Sequence, residues 1–147
     1  MVATGRSIRR VPRQGSLPQA VAVLVGVVLT LVGGLSFVVT GFDGFAAHNP
    51  AERFFGLAVN PLQNLLHVLA GVLGIGLSAR LRWTRRYGLV LVATAAAVFA
   101  YGVLAVGRPS LDVLNLNWAA NWLHLAVAVA GLAAAVTPAR IRRAARE

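Results

Sequence analysis

Two eight-residue segments with the same polar pattern contain the residues of this chain that are best suited to binding chemistry. Each has asparagine at its first and fifth positions and histidine at its eighth, which gives Asn60, Asn64, His67, Asn117, Asn121 and His124. Amides and imidazoles form hydrogen bonds, and two imidazoles can also ligate a haem iron. At about 100° per residue, positions i, i+4 and i+7 share one side of a helix. The spacing therefore predicts a polar stripe on each of two helices.

Three uses of these stripes can be derived from the residue types. The first is structural, with the six side chains forming a buried polar network that holds the helices together. The second is ligand binding, in which His67 and His124 hold haem b or another small molecule as part of a redox protein. The third is a small-solute channel or permease, which the small residues farther along the stripes support least. We favour the structural use and expect no bound cofactor, with haem b as the alternative.

Catalytic groups are missing from the apolar segments that contain the stripes. These segments contain no Asp, Glu, Lys or Cys, so nucleophiles and acid–base pairs are lacking and we expect no enzyme activity. We also expect both stripe histidines to be uncharged, because no carboxylate lies in the segments to pair with them. A metal site formed with His48 would lack a carboxylate or sulfur ligand, so no metal is expected apart from haem iron. We expect His48 itself to be solvated.

Four long apolar segments must position the stripes. The chain is 58% hydrophobic and 12% charged, with a mean hydropathy of +0.73, which is far from the values of a soluble domain. A spanning helix needs about 20 apolar residues. The pattern predicts an all-α polytopic membrane protein with a transmembrane domain over residues 18–137 and spans at 18–40, 61–79, 87–106 and 118–137. The repeated octets begin the second and fourth spans, which predicts two tandem helical hairpins.

The basic residues are distributed asymmetrically. All 14 are arginine, and four lie in each of three clusters, at residues 6–13, 80–86 and 140–146. By the positive-inside rule, both basic tails, 1–17 and 138–147, are expected in the cytoplasm of a bacterial cell, with the helices in its plasma membrane. The clusters are expected to attract membrane lipids with anionic headgroups, not nucleic acid. Further expected partners are a second copy, in a homo-oligomer, or a partner membrane subunit.

Local signals predict how the helices begin and pack. Asn60 and Asn117 are suited to be N-caps. Pro50 and the phenylalanines that follow it predict a short interfacial helix in the first long loop. Small residues continue each stripe, and three of them are predicted to let helices approach closely: Gly71, Gly74 and Gly131.

The segment Phe54–Gly71, FFGLAVNPLQNLLHVLAG, resembles a family of four-helix bacterial membrane proteins, the actinobacterial domain of unknown function 4383. Members of this family have Asn-Pro-x-x-Asn-x-x-His-x-x-x-Gly at the second helix and a related Asn-x-x-His element at the fourth. The resemblance extends over about residues 17–137. Gln63 occupies a position that is often histidine in the family, so the chain departs from the pattern there. The resemblance implies a four-span plasma-membrane protein with no established activity.

Overall fold

The fold consists of two helical hairpins. The structure is a computed structural model and describes residues 15–139. Over this range there are four helices and one two-stranded antiparallel ladder: α1 Leu17–Thr40, β1 Arg53–Phe54, β2 Leu57–Ala58, α2 Pro61–Leu77, α3 Leu81–Ala105 and α4 Trp118–Val136. α1 packs along α2 and α3 packs along α4, while α1 also contacts α3 and α4. The predicted all-α fold with two tandem hairpins is confirmed.

The helices have the length and hydropathy of membrane-spanning segments. α1, α3 and α4 are long and apolar enough to cross a membrane, with mean hydropathies of 2.6, 2.2 and 1.7 over their best windows. α2 is also apolar but has only 17 residues, or roughly 25 Å of helix at 1.5 Å per residue. Large aliphatic side chains cover the outward faces, whereas many of the buried helix positions are Gly, Ala, Ser or Thr. The protein is a membrane protein.

The two ends of the bundle differ in their connections. At one end, which we call the loop end, lie residues 41–60 and 106–117. At the other, the arginine end, lie residues 78–86, of which 78–80 join the two hairpins. The basic tails predicted at 1–17 and 138–147 fall mostly outside the described residues.

The third helix begins earlier than the sequence predicts. It starts at Leu81, not near Tyr87, so most of the arginine cluster is helical. Charge marks where a span leaves lipid, but arginine is a good helix former and continues a helix into water. The guanidinium groups of Arg82 and Arg86 also lie 5.2 and 4.9 Å from the ring centre of Trp83, within cation–π range.

The predicted interfacial helix after Pro50 is wrong. Residues 53–58 instead form the β1–β2 hairpin, in which Arg53 pairs with Ala58 and Phe54 with Leu57. Its two-residue turn is Phe55-Gly56, with φ values of 48° and 84°. Positive φ at both central positions is the requirement of a type I′ hairpin turn, and glycine meets it at the second position without strain.

Glycine lets the paired helices approach closely in each hairpin. A Cβ on Gly26 of α1 would lie 2.8 Å from the carbonyl oxygen of Gly71 on α2. In the second hairpin, a Cβ on Gly88 of α3 would lie 2.7 Å from the carbonyl oxygen of Gly131 on α4. Contacts this short leave no room for a side chain, so both helix pairs pack backbone against backbone.

Candidate functional site

The six octet residues occupy three successive levels at the loop end of α2 and α4. Asn60 and Asn117 are the N-caps, each accepting a hydrogen bond from the backbone N–H three residues later, at 2.9 Å. Asn64 and Asn121 lie one turn farther in, and the two histidines follow. All six are buried except Asn117, which is partly exposed.

Three of the four asparagines, Asn60, Asn64 and Asn117, hydrogen-bond through Nδ2 to other parts of the described chain and not to one another. The Nδ2 atom of Asn60 donates to the carbonyl oxygens of Ala47 and Val113, in two different loops, at 3.2 and 2.9 Å. That of Asn117 donates to the Gly56 carbonyl at 2.8 Å, and Asn64 donates to the Thr40 hydroxyl at 3.0 Å. Among the described residues, the six side chains therefore lack the mutual hydrogen bonds of the predicted polar network.

Asn64 and Asn121 have the same place in the repeat but different surroundings. Neither amide atom of Asn121 has a partner within residues 15–139, whereas Asn64 reaches Thr40 on α1. The residue that α3 places against the Asn121 amide is Gly102, which has no side chain to offer. The difference therefore arises from the neighbouring helices and not from the octets.

His67 and His124 lie next to each other in the middle of the bundle. Their ring centroids are 5.5 Å apart and the ring planes are tilted by 37°. His67 is 6% exposed, and neither of its ring nitrogens has a hydrogen-bond partner in the part of the chain that the structure describes. A buried imidazole without partners loses its hydrogen bonds to water and gains none in return.

Gln63 is a further site residue, placed against His124. Its side-chain amide is best oriented with the nitrogen donating to the carbonyl oxygens of Ala58 and Leu114, both at 3.1 Å. In this orientation the amide oxygen of Gln63 lies 3.4 Å from Nε2 of His124. Gln63 therefore accepts a hydrogen bond from Nε2 of His124 and forms none with His67.

A cavity of about 290 Å³ begins at these three polar side chains and extends between α2 and α3 toward the arginine end. Leu66, Leu69 and Leu73 of α2 face Val90 and other apolar residues of α3 across it. The mouth opens on the lipid-facing side, because Leu73 and Val90 are 55% and 60% exposed. The lining also includes Leu29, Ala70, Tyr87, Leu91, Thr94, Ala95, Val98, Leu114 and Val127.

Tyr87, which lines the cavity, bridges α3 and α2. Its hydroxyl donates to the carbonyl oxygen of Ala70 at 3.0 Å. The ring lies over Gly74, where an added Cβ would be 2.6 Å from the hydroxyl oxygen. Gly74 therefore packs against an aromatic side chain of the other hairpin.

Asn115 ties the two long loops together and closes the loop end. This fully buried side chain donates to the carbonyl oxygens of Asn49 and Val59, both at 2.7 Å, and accepts from the Asn49 N–H at 3.1 Å. Its backbone has a φ of 51°, a conformation that asparagine tolerates better than most residues. Sequence reasoning missed this residue, although an asparagine between two leucines in a loop was a usable signal.

His48 also links the two long loops. The sequence predicts that it is solvated, but the structure gives it a partner in the other loop. Its Nδ1 lies 3.0 Å from Oδ2 of Asp112, in the other loop. The same carboxylate oxygen accepts the Leu116 N–H at 2.7 Å. Asp112 is 1% exposed, so the contact is a buried link between the loops and lies outside the cavity lining.

The site does not fit a haem. The described residues contain no group of three or more His, Cys, Asp or Glu side chains that could hold a metal ion, which leaves the two facing imidazoles as the available ligands. The macrocycle of a haem bound between the two imidazoles would need free space on all sides of the His67–His124 pair. The α1 backbone prevents this on one side, because a Cβ on Gly33 would lie only 2.8 Å from the Cβ of His67. The cavity is also at the lower limit of ligand pockets, about 300 Å³.

Comparison with known proteins identifies a family for the chain. A family model described as a domain of unknown function (DUF4383) matches residues 19–137, which include α2, α3, α4 and nearly all of α1. No curated protein and no solved structure matches the chain.

Proposed function

The chain belongs to the DUF4383 family of membrane proteins, and on that premise we propose a noncatalytic, accessory role in which it binds a small lipid-soluble molecule. The site is the cavity between α2 and α3, with His67, His124 and Gln63 at its polar end. Of the hypotheses derived from the sequence, this proposal adopts ligand binding by the two stripes in place of a purely structural polar network.

The observation that carries this proposal is the state of His67. A structural histidine is expected to bond to its neighbours, but His67 is buried with two unpartnered nitrogens and lines a cavity. Leaving a buried polar group unpaired costs about 1–3 kcal/mol. Both nitrogens are themselves fully buried, so in our proposal the ring turns to present one of them to a molecule in the cavity. A hydrogen bond to that molecule would remove the cost for that nitrogen, so ligand binding would account for both the cavity and the unpaired ring.

The chemical composition of the site supports a noncatalytic role. Its polar members are two imidazoles, one amide and the hydroxyls of Tyr87 and Thr94, both of which already donate to backbone carbonyls. No carboxylate, thiol or amine is among the described residues that line the cavity. Neither hydroxyl is paired with an imidazole that could act as its general base, so we assign binding without reaction.

The proposed location is the plasma membrane, with both termini in the cytoplasm. The arginine end carries exposed Arg82, Arg85 and Arg86, whereas the acidic residues within 15–139 are Asp43, Glu52 and Asp112, all at the loop end. By the positive-inside rule, this asymmetry supports a cytoplasmic arginine end, next to anionic headgroups. The other proposed partners are a second copy, in a homo-oligomer, or a partner membrane subunit, with no role for nucleic acid.

Filling the cavity should remove the ligand. Ala95 of α3 is buried and lines the cavity, and Ala97 on the same helix faces outward. We expect the wild-type protein and Ala97→Leu, purified gently from their membranes, to retain a small molecule in native mass spectra. Ala95→Leu should retain it about tenfold less, because the larger side chain occupies the ligand's space.

Two outcomes would contradict the proposal. One is an unliganded mass for all three proteins, and the other is equal retention in Ala95→Leu and Ala97→Leu. The retained mass also identifies the ligand class. A mass equal to haem b, together with Soret absorption, would replace the proposed lipid-soluble molecule with a haem.

A further inference from the structure

The polar end and the apolar remainder of the cavity together define a class of ligand. We propose that the ligand is a single-chain lipid with an uncharged hydroxyl head, a long-chain alcohol, which reaches the site sideways from the bilayer between α2 and α3. This inference rests on the proposed function and gives it a ligand chemistry. Four properties of the cavity support it: the route of access, the shape, the charge of the lining and the hydrogen-bonding groups.

Access to the cavity is from the lipid side. The residues at its mouth, Leu69, Leu73 and Val90, are each more than half exposed on the apolar outer face of the bundle. Toward the loop end, Val59 and Asn60 are 1% and 0% exposed beneath the interlocked loops. A molecule dissolved in the bilayer therefore has an open route into the cavity, whereas one dissolved in water meets the closed loop end.

The shape of the cavity fits one chain and not a ring system. Its lining on α2 runs from Gln63 to Leu73, a helical rise of about 15 Å along the bundle. The volume of about 290 Å³ spread over that length makes the space narrow. A flexible hydrocarbon chain lying along α2, with its head at Gln63 and its tail toward Leu73, matches this form.

The charge of the lining requires an uncharged head. No charged side chain is among the described residues that line the cavity. A carboxylate, phosphate or ammonium head would therefore be buried in apolar surroundings without a counter-ion, which is costly at membrane depth.

The hydrogen-bonding groups select a hydroxyl among uncharged heads. An uncharged imidazole has one N–H donor and one acceptor nitrogen, and both are free in His67. A hydroxyl can donate to the acceptor nitrogen of His67, whereas the Nε2–H of His124 is already directed at the Gln63 amide oxygen. An ether or a quinone carbonyl only accepts and would leave the acceptor nitrogen of His67 unpaired.

The three histidines of the chain allow a direct test by ¹⁵N NMR with histidine-selective labelling. The full-length protein is placed in nanodiscs of dioleoylphosphatidylcholine and titrated separately with tetradecanol, tetradecyl methyl ether, tetradecane and myristate. We expect tetradecanol to shift the His67 and His124 signals saturably while the His48 signal stays in place. The ether and the alkane should bind about tenfold or more weakly, and myristate should not compete.

Two sets of variants locate the effect. Ala95→Leu should abolish the tetradecanol-induced shift, and Ala97→Leu should preserve it. His67→Phe keeps an aromatic ring of similar size but removes both nitrogens, so it should bind tetradecanol and its methyl ether with equal affinity, read from the His124 signal.

The outcomes separate this inference from the proposed function. Equal affinity of the wild-type protein for alcohol, ether and alkane, with loss in Ala95→Leu, overturns the hydroxyl head and leaves ligand binding in place. Tighter binding of myristate overturns the uncharged head in the same way. No saturable shift with any probe, or an Ala95→Leu titration equal to that of the wild-type protein, overturns both.

Discussion

The Asn115→Asp variant is expected to lose about 3 kcal/mol of stability, the largest loss that we expect from an isosteric change in this chain. The substitution replaces an amide nitrogen that donates to the carbonyl oxygens of Asn49 and Val59 with a carboxylate oxygen. Three acceptors would then face one another in a fully buried site. Thermal unfolding of the purified protein in detergent measures the loss.

Asn117→Asp is the matched control for this prediction. Asn117 is partly exposed, and its Oδ1 caps α4 by accepting the Ala120 N–H. Aspartate caps a helix as well as asparagine does, so this variant loses only the bond from Nδ2 to the Gly56 carbonyl. We expect a change within about 1 kcal/mol. Similar unfolding temperatures for the two variants would show that Asn115 does not hold the loops together.

Gly33→Ala and Gly34→Ala are expected to change stability in opposite directions, although the two positions are adjacent in α1. A Cβ on Gly33 would lie 2.5 Å from the Asn64 carbonyl oxygen and 2.8 Å from the Cβ of His67. One on Gly34 would meet no atom of the described chain within 4 Å. We expect Gly33→Ala to destabilise the protein by about 1–3 kcal/mol, because α1 must move away from α2.

Gly34→Ala should stabilise α1 by roughly 0.5–1 kcal/mol, the usual difference between alanine and glycine in a helix. The same detergent unfolding assay compares both variants with the wild-type protein. Because Gly33 packs against His67, its substitution should also weaken ligand retention in native mass spectra, whereas Gly34→Ala should leave retention unchanged. Equal effects at the two positions would contradict the close α1–α2 packing that positions His67.

The features that the sequence could predict are those determined by neighbouring residues. Long uncharged runs predicted the helices, and the capping of α2 and α4 depends on a contact three residues along the chain. The Phe55-Gly56 turn is also a local feature, but Pro50 and the phenylalanines around it favour a helix in the sequence pattern. The arginines at the start of α3 were interpreted as a connection, because charge reveals where a helix leaves lipid but not where it begins.

The partners of the octet residues could not be predicted, because they come from other elements. Two identical polar patterns suggested one symmetric network, yet Asn64 reaches Thr40 on α1 while Asn121 lies against Gly102 on α3. The repeat is strong in α2 and α4 but weak in α1 and α3, so identical octets acquire different neighbours. The link between His48 and Asp112 joins residues 64 apart in sequence and depends on how the loops fold over the bundle.

The cavity could not be predicted from sequence patterns either. Sequence periodicity placed His67 and His124 on inward-facing stripes, and they do lie together. It could not show that α2 and α3 separate beside them, because that gap depends on how two hairpins pack. Residues of the gap such as Ala70, Leu73 and Val90 have no feature that distinguishes them from other apolar residues of a span.

The most direct test of ligand binding is an experimental density map of the protein purified with its native membrane lipids. We predict an elongated density between α2 and α3, with its polar end within hydrogen-bonding distance of a His67 ring nitrogen and its tail running toward Leu73. A map in which α2 and α3 close together, with both His67 nitrogens bonded to protein groups and no density between the helices, would contradict the account.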